Sequence, residues 1–137
     1  MSGLSRISIS LDDELLQRFD RQIAAEGYPT RSKAVSDLIR DSLVRHEWEH
    51  GDEVAGAVIL VYDHHKRDLS SRLVHVQHDY HHLILSSQHV HLDHDNCLEI
   101  VAVRGKAAEV RKLADMLKAT KGIKHASLAT ASTGKEL

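Results

Sequence analysis

Apolar and polar positions alternate over Arg6-Ile-Ser-Ile-Ser-Leu11, with Ile7, Ile9 and Leu11 on one face and Arg6, Ser8 and Ser10 on the other. A period of two over six residues predicts a half-buried strand. The pattern then shifts to helical spacing at Leu15, Leu16, Phe19 and Ile23, with Asp12 or Asp13 as cap and Gly27 as stop. After the turn at Tyr28-Pro29-Thr30, a second helix is predicted from about Arg31, capped by Thr30 or Ser32. Its stripe is Val35, Leu38, Ile39 and Leu43, and it continues into Trp48. One strand and two helices leave the strand edges unpaired and the core marginal. A homodimer, in which two copies of the strand pair into an antiparallel ribbon, repairs both defects.

His50-Gly-Asp-Glu-Val-Ala-Gly56 reads as a boundary, which divides the chain into residues 1–50 and 51–137. Beyond it Ala57–Tyr62 is a buried strand, and Asp63 to about Gln77 a helix with Leu69, Leu73 and Val76 inward. Leu83–Leu85 and Gln88–Leu92 form a strand, Asp93–Asn96 a turn, and Leu98–Val103 the return strand. A helix from Gly105 to about Thr120 and a last strand over Gly122–Leu128 complete the order βαββαβ. That order is the split βαβ, or ferredoxin-like, plan of an α+β protein.

Composition narrows the classes. The chain has 137 residues, 42% hydrophobic and 28% charged, which is ordinary for packed domains. A formal charge of −2 supplies no general basic field for nucleic acid, so any DNA contact must come from a local surface. Residues 1–50 hold seven basic and nine acidic residues, so non-specific affinity for DNA should be weak. Cys97 is the single cysteine, so no internal disulfide forms, which suits a reducing cytoplasm. Neither a signal-peptide pattern nor an apolar run of roughly 20 residues is present, so a soluble cytoplasmic protein is expected.

Histidine is the outlier. Of 12 in the chain, nine lie between positions 64 and 94, a bias that reads as metal binding. His89 and His91 leave a strand on the same face, about 6.6 Å apart at Cα. Val90 and Leu92 are then expected to pack on the core, while Cys97 folds back past the turn towards the imidazoles. A single strand histidine is most often an ordinary surface or core residue, but two with a turn-adjacent thiol make a set suited to nickel, copper, zinc or cobalt. A closed site needs a fourth ligand, for which the tract Val76–His82 offers His78, His81 and His82. His64 and His65 read as solvated residues at a helix start unless a second site exists.

These residues together resemble the NikR family of nickel-responsive regulators. Arg6–Asp13, Gly27-Tyr28 and Arg31-Ser-Lys-Ala-Val-Ser-Asp37 are similar to the ribbon-helix-helix signature of small repressors. Lys66–Leu69, Gln77-His78, His89-Val-His91 and His94-Asp-Asn-Cys-Leu-Glu-Ile100 are similar to the NikR nickel-binding domain, and the likeness spans about residues 6 to 128. The resemblance implies an ACT-type metal domain, a homotetramer (a dimer of dimers) and square-planar Ni(II) held by His89, His91 and Cys97 of one subunit with His78 of its neighbour. It further implies that Arg6, Ser8 and Ser10 read base edges of a palindromic double-stranded DNA operator from the major groove, and that the operator controls nickel uptake.

Some family members have an acidic residue where this chain has Lys33, joining the residue that matches Asp37 in holding a second cation. A charged lysine donates no lone pair, so such a site is not expected here. The competing reading is an antitoxin-like interaction module, or a ribbon-helix-helix regulator responding to another metal or effector. A metal hydrolase is disfavoured, because a saturated three-His, one-Cys set leaves no position for substrate.

Overall fold

The structure, a computed structural model, describes residues 3–137. Two compact units emerge, divided between Asp41 and Ser42. In the first, α1 (Asp13–Ala25) begins where Asp12 Oδ1 accepts from the backbone N–H groups of Glu14 and Leu15 at 3.0 and 3.2 Å, and acidic Asp13 and Glu14 fill the first turn. Both features stabilise a helix N-terminus. Gly27, at φ +80°, turns the chain out of the helix, a conformation that costs glycine little. The next helix, α2 (Arg31–Glu49), starts with Thr30 Oγ1 accepting from Lys33 N at 3.1 Å. Asp20 of α1 takes two bonds from the Arg31 guanidinium, at 2.8 and 2.7 Å.

Residues 6–11 form no strand within the single chain. A strand needs a hydrogen-bonding partner, and no described segment supplies one. Their apolar side chains stand in solvent, with Ile7 70%, Ile9 58% and Leu11 45% exposed, as do Leu15, Leu38 and Ile39.

The second unit carries an antiparallel sheet in the order β2-β3-β1-β4, from β1 (Glu53–Asp63), β2 (Ile84–His91), β3 (Asn96–Lys106) and β4 (Ile123–Thr130). The connecting helices are α3 (Arg67–Asp79) and α4 (Ala107–Ala119), giving βαββαβ. Alternate residues of the two central strands, Val54, Val58, Leu60 and Tyr62 with Cys97, Val101 and Val103, share one buried cluster with Leu69 and Leu73 of α3 and Val110, Leu113 and Leu117 of α4. Both helices therefore cover the same face of the sheet. The other face presents half-buried Ala57, Ile59, Val61, Leu98, Ile100 and Ala102. Trp48 closes into the cluster, its indole N–H donating to the Ala131 carbonyl at 2.8 Å and the Arg111 guanidinium lying 5.2 Å over its ring.

α3 begins four residues later than the periodicity predicts. Asp63 accepts the N–H of His65 on its side chain, at 2.9 Å, and that of Lys66 on its carbonyl, at 3.3 Å, which spends residues 63–66 on a turn. The β2–β3 hairpin is tied by Asp93, whose Oδ1 accepts from the N–H groups of Asp95 and Asn96 at 2.9 and 2.8 Å. Together with the Asn96 side chain these donors hold the Asp93 carboxyl down to about 2. No helix among the described residues is long and apolar enough to cross a membrane.

A Cβ at Gly56, where β1 lies between β3 and β4, would stand 2.6 Å from the Ala129 carbonyl oxygen and 3.4 Å from Trp48. Gly56→Ala is expected to destabilise the sheet domain by about 1–3 kcal/mol, as a lower urea midpoint, because backbone must move to admit the methyl group.

Candidate metal centre

The pairing of β2 with β3 sets Cys97 opposite His91 and Glu99 opposite His89, while β1 places Tyr62 on the other side of Cys97. In an antiparallel ladder, directly opposed residues project to the same face. Cys97 and Glu99 lie on the helix-covered face, so His89 and His91 leave β2 on that face as well, with ring centres 5.3 Å apart. The two histidines remain exposed because β2 is an edge strand. This corrects one sequence expectation. Val90 and Leu92 do not pack on the core: Val90 pairs with Leu98 on the opposite face, half-buried, and Leu92 lies 53% exposed past the strand end.

Cys97 is fully buried, and its thiol donates to the Tyr62 carbonyl at 3.5 Å. Burial pushes the thiol above its ordinary range. Behind it, the Tyr62 hydroxyl donates to Glu99 Oε2 at 2.6 Å and Gln77 Nε2 donates to Glu99 Oε1 at 2.7 Å. The same hydroxyl lies 3.5 Å from His89 Nδ1. Burial and the Glu99 contact keep Tyr62 protonated far above the usual phenol range. One polar chain thus runs from α3 through β3 and β1 to the histidine strand, and such second partners fix a ligand's orientation.

His78 is not brought to this cluster within the chain. It lies exposed in the last turn of α3, its ring stacked 6.0 Å from that of His81. His64 instead stands beside His91, ring centres 4.9 Å apart and edge to face, with a buried Nδ1 that has no hydrogen-bond partner. Burial and the neighbouring histidines lower its pKa. His64 thus departs from the expected solvated helix start. Glu99 and Tyr62 also escape notice in the sequence, although their parity with Cys97, Val101, Val58 and Leu60 marks both as inward.

The donor types suit a borderline-soft transition ion, two imidazoles on the same face as a thiol that donates to a carbonyl, although among the described residues the ligand atoms of His89, His91 and Cys97 do not gather within 4.8 Å of one another. Asp37, by contrast, is already satisfied. Its carboxylate takes Lys33 Nζ at 2.6 Å and the Tyr28 hydroxyl at 3.1 Å, and the Lys33 bond holds it below the usual carboxylate range. Arg6, Ser8 and Ser10 are all exposed on the segment before α1.

Residues 55–131 match the family described as the NikR C terminal nickel binding domain, and residues 5–45 the ribbon-helix-helix proteins of the copG family. Provisionally named nickel-responsive regulators align over nearly their whole length. One from Solibacter usitatus is 56% identical and one from Geobacter metallireducens 55%, each covering 100% of this chain and 99% of the relative. One from Thermococcus onnurineus is 50% identical over 98% of both chains.

Tyr62→Phe removes one hydrogen bond to the buried Glu99 and leaves a carboxylate oxygen unpaired. The expected cost is about 1–3 kcal/mol of stability, read by urea unfolding of the metal-free protein.

Proposed function

We propose, for a chain that belongs to the NikR family of nickel-responsive regulators, that residues 1–50 engage DNA and residues 51–137 sense the metal and assemble the protein. The protein is a nickel-responsive, DNA-binding transcriptional regulator with an N-terminal ribbon-helix-helix domain, an α+β metal-binding domain of ACT-like plan and Ni(II) as its metal. Within that class, the reading is a cytoplasmic homotetramer, a dimer of dimers, that represses nickel uptake from a palindromic operator.

The observation that carries this reading is the incompleteness of the site in one chain. The register supports it by putting His89 and His91 of β2 on the same face as Cys97 of β3, whereas His78 stands on another element beside His81. A set of three histidines and one cysteine is completed when the His78 of a second chain faces that edge. Two chains must therefore be apposed, and ligand affinity becomes interface affinity. When bound, the nickel ion supplies the bonds that link the two chains. The chain's own part is to hold the first three donors in place: Gln77 and Tyr62 fix Glu99, Tyr62 orients His89, and β3 keeps Cys97 out of water. Because Gln77 adjoins His78 on α3, its bond to Glu99 relates the helix bearing His78 to β3, which bears Cys97.

The N-terminal half lends a parallel reason for assembly. Ile7, Ile9 and Leu11 stand exposed beside Leu15, Leu38 and Ile39 in the sequence pattern of an unfinished core, and antiparallel pairing with a second copy buries the ribbon's apolar face. The opposite face then presents Arg6, Ser8 and Ser10 to the major groove, where arginine bonds guanine in bidentate fashion and serine accepts several bases.

Two measurements check the account. Anaerobic Ni(II) titration of reduced protein should give a thiolate charge-transfer band, absent in Cys97→Ala; a band that survives the substitution removes Cys97 from the site. For DNA, Arg6→Ala should weaken nickel-dependent binding to an operator selected from random duplexes by about 10–100-fold in gel shifts, corresponding to about 1–3 kcal/mol. Unchanged affinity would take Arg6 off the recognition face.

A further inference from the structure

At the sheet edge opposite the histidine strand, α4 packs on β4 and leaves a groove of about 210 Å³ between them. Residue size is its cause. Val58 pairs with Leu128 and Leu60 with Ala126, so Ala126 and Leu128 project to the helix-covered face. They stay half-buried there, because β4 is an edge strand and the one apolar side chain that α4 sets into the groove is Ala114. Two facing alanines leave space that a larger pair would fill.

The rim is of a different kind. Arg111, Ala114, Asp115 and Lys118 recur at the spacing of a single helix face, and all four line the groove. A helix face set against a sheet is ordinarily apolar, yet three of these four positions carry charge. Asp115 stands four residues from Arg111 and three from Lys118, a spacing at which opposite charges pair. Among the described residues, none of the three forms an ion pair. The Arg111 guanidinium is held instead over the buried Trp48 ring, 5.2 Å from its centre.

We propose that this groove binds a small amphipathic monocarboxylate, with the carboxylate on Arg111 and Lys118 and a short alkyl chain over Ala114, Ala126 and Leu128. Two cations against one acid give the rim a net positive charge, which favours an anion. A guanidinium already oriented by an aromatic ring takes a carboxylate through two parallel bonds at little cost in ordering. The alkyl chain removes the apolar floor from water. The groove is smaller than the roughly 300–1,000 Å³ of sites for drug-sized molecules, so its ligand has only a few carbons. Because it lies at the edge away from His89 and His91, the inference does not rest on the nickel assignment.

Saturation-transfer NMR titration of the full-length, nickel-loaded protein with valerate tests this, with pentylamine as the cationic counterpart. Saturable valerate binding is expected, with a dissociation constant of about 1 mM, no change in the thiolate absorption band and no binding of pentylamine. Ala126→Leu, which fills the groove, should abolish binding, and Arg111→Gln/Lys118→Gln should weaken it by about 10-fold or more. Circular dichroism and the thiolate band check that each variant is folded; should Ala126→Leu fail to fold, the charge variant decides. Absence of saturation, equal binding of pentylamine, a shift of the band on adding valerate, or unchanged affinity in a folded variant would overturn the site.

Discussion

The register between β2 and β3 is the constraint on which the metal centre depends. With His91 opposite Cys97 and His89 opposite Glu99, these four side chains fall on the helix-covered face of the sheet. A slip of one residue would turn Val90 inward and both histidines to the far face. The hairpin is therefore pinned on both sides of the turn: by the Asp93 carboxylate accepting from Asp95 and Asn96, and by Leu92 N–H donating to the Asn96 carbonyl at 2.9 Å. Edge placement is the second half of the same constraint. It lets the thiol sit dry at the inner strand while the imidazoles reach outward.

Burying Glu99 beside that site is costly unless its oxygens are paired, and the fold pairs both, with Tyr62 and Gln77. The result is a polar connection between α3 and the ligand strand inside an otherwise apolar core. Energetically this is a choice of specificity over stability. A hydrophobe at position 99 would pack as well, but it would not hold the Tyr62 hydroxyl within reach of His89. On the first unit, the Lys33 ammonium likewise pairs directly with the Asp37 carboxylate.

Much of this was legible in the sequence where periodicity is long and unambiguous. Spacing and turn chemistry give the βαββαβ order and narrow each cap to two residues, of which the structure uses Asp12 and Thr30. The shared face of His89 and His91 follows from period two alone. Which face it is does not, because Val90 and Leu92 are as apolar as core residues and the deciding fact is the pairing with Cys97. The strand expected over residues 6–11 does not form, because no described segment of the single chain pairs with it. The late start of α3 and the enclosure of His64 depend on contacts between segments about 30 residues apart, such as His64 N to the Asp95 carbonyl, which no local pattern encodes. Glu99 was readable from parity, but a carboxylate in a buried run draws attention only once its partners are seen.

The central claim is that the nickel set is divided between chains, and complementation tests it most directly. His78→Ala and Cys97→Ala proteins, each lacking one ligand, would be unfolded together, refolded as a mixture and titrated anaerobically with Ni(II). A divided set predicts that the mixture recovers part of the unsubstituted protein's thiolate–nickel spectrum, because His78 from one variant completes the His89, His91 and Cys97 of the other. A mixture whose spectrum is only the average of the two separate variants would contradict it, and would place the whole site within one chain.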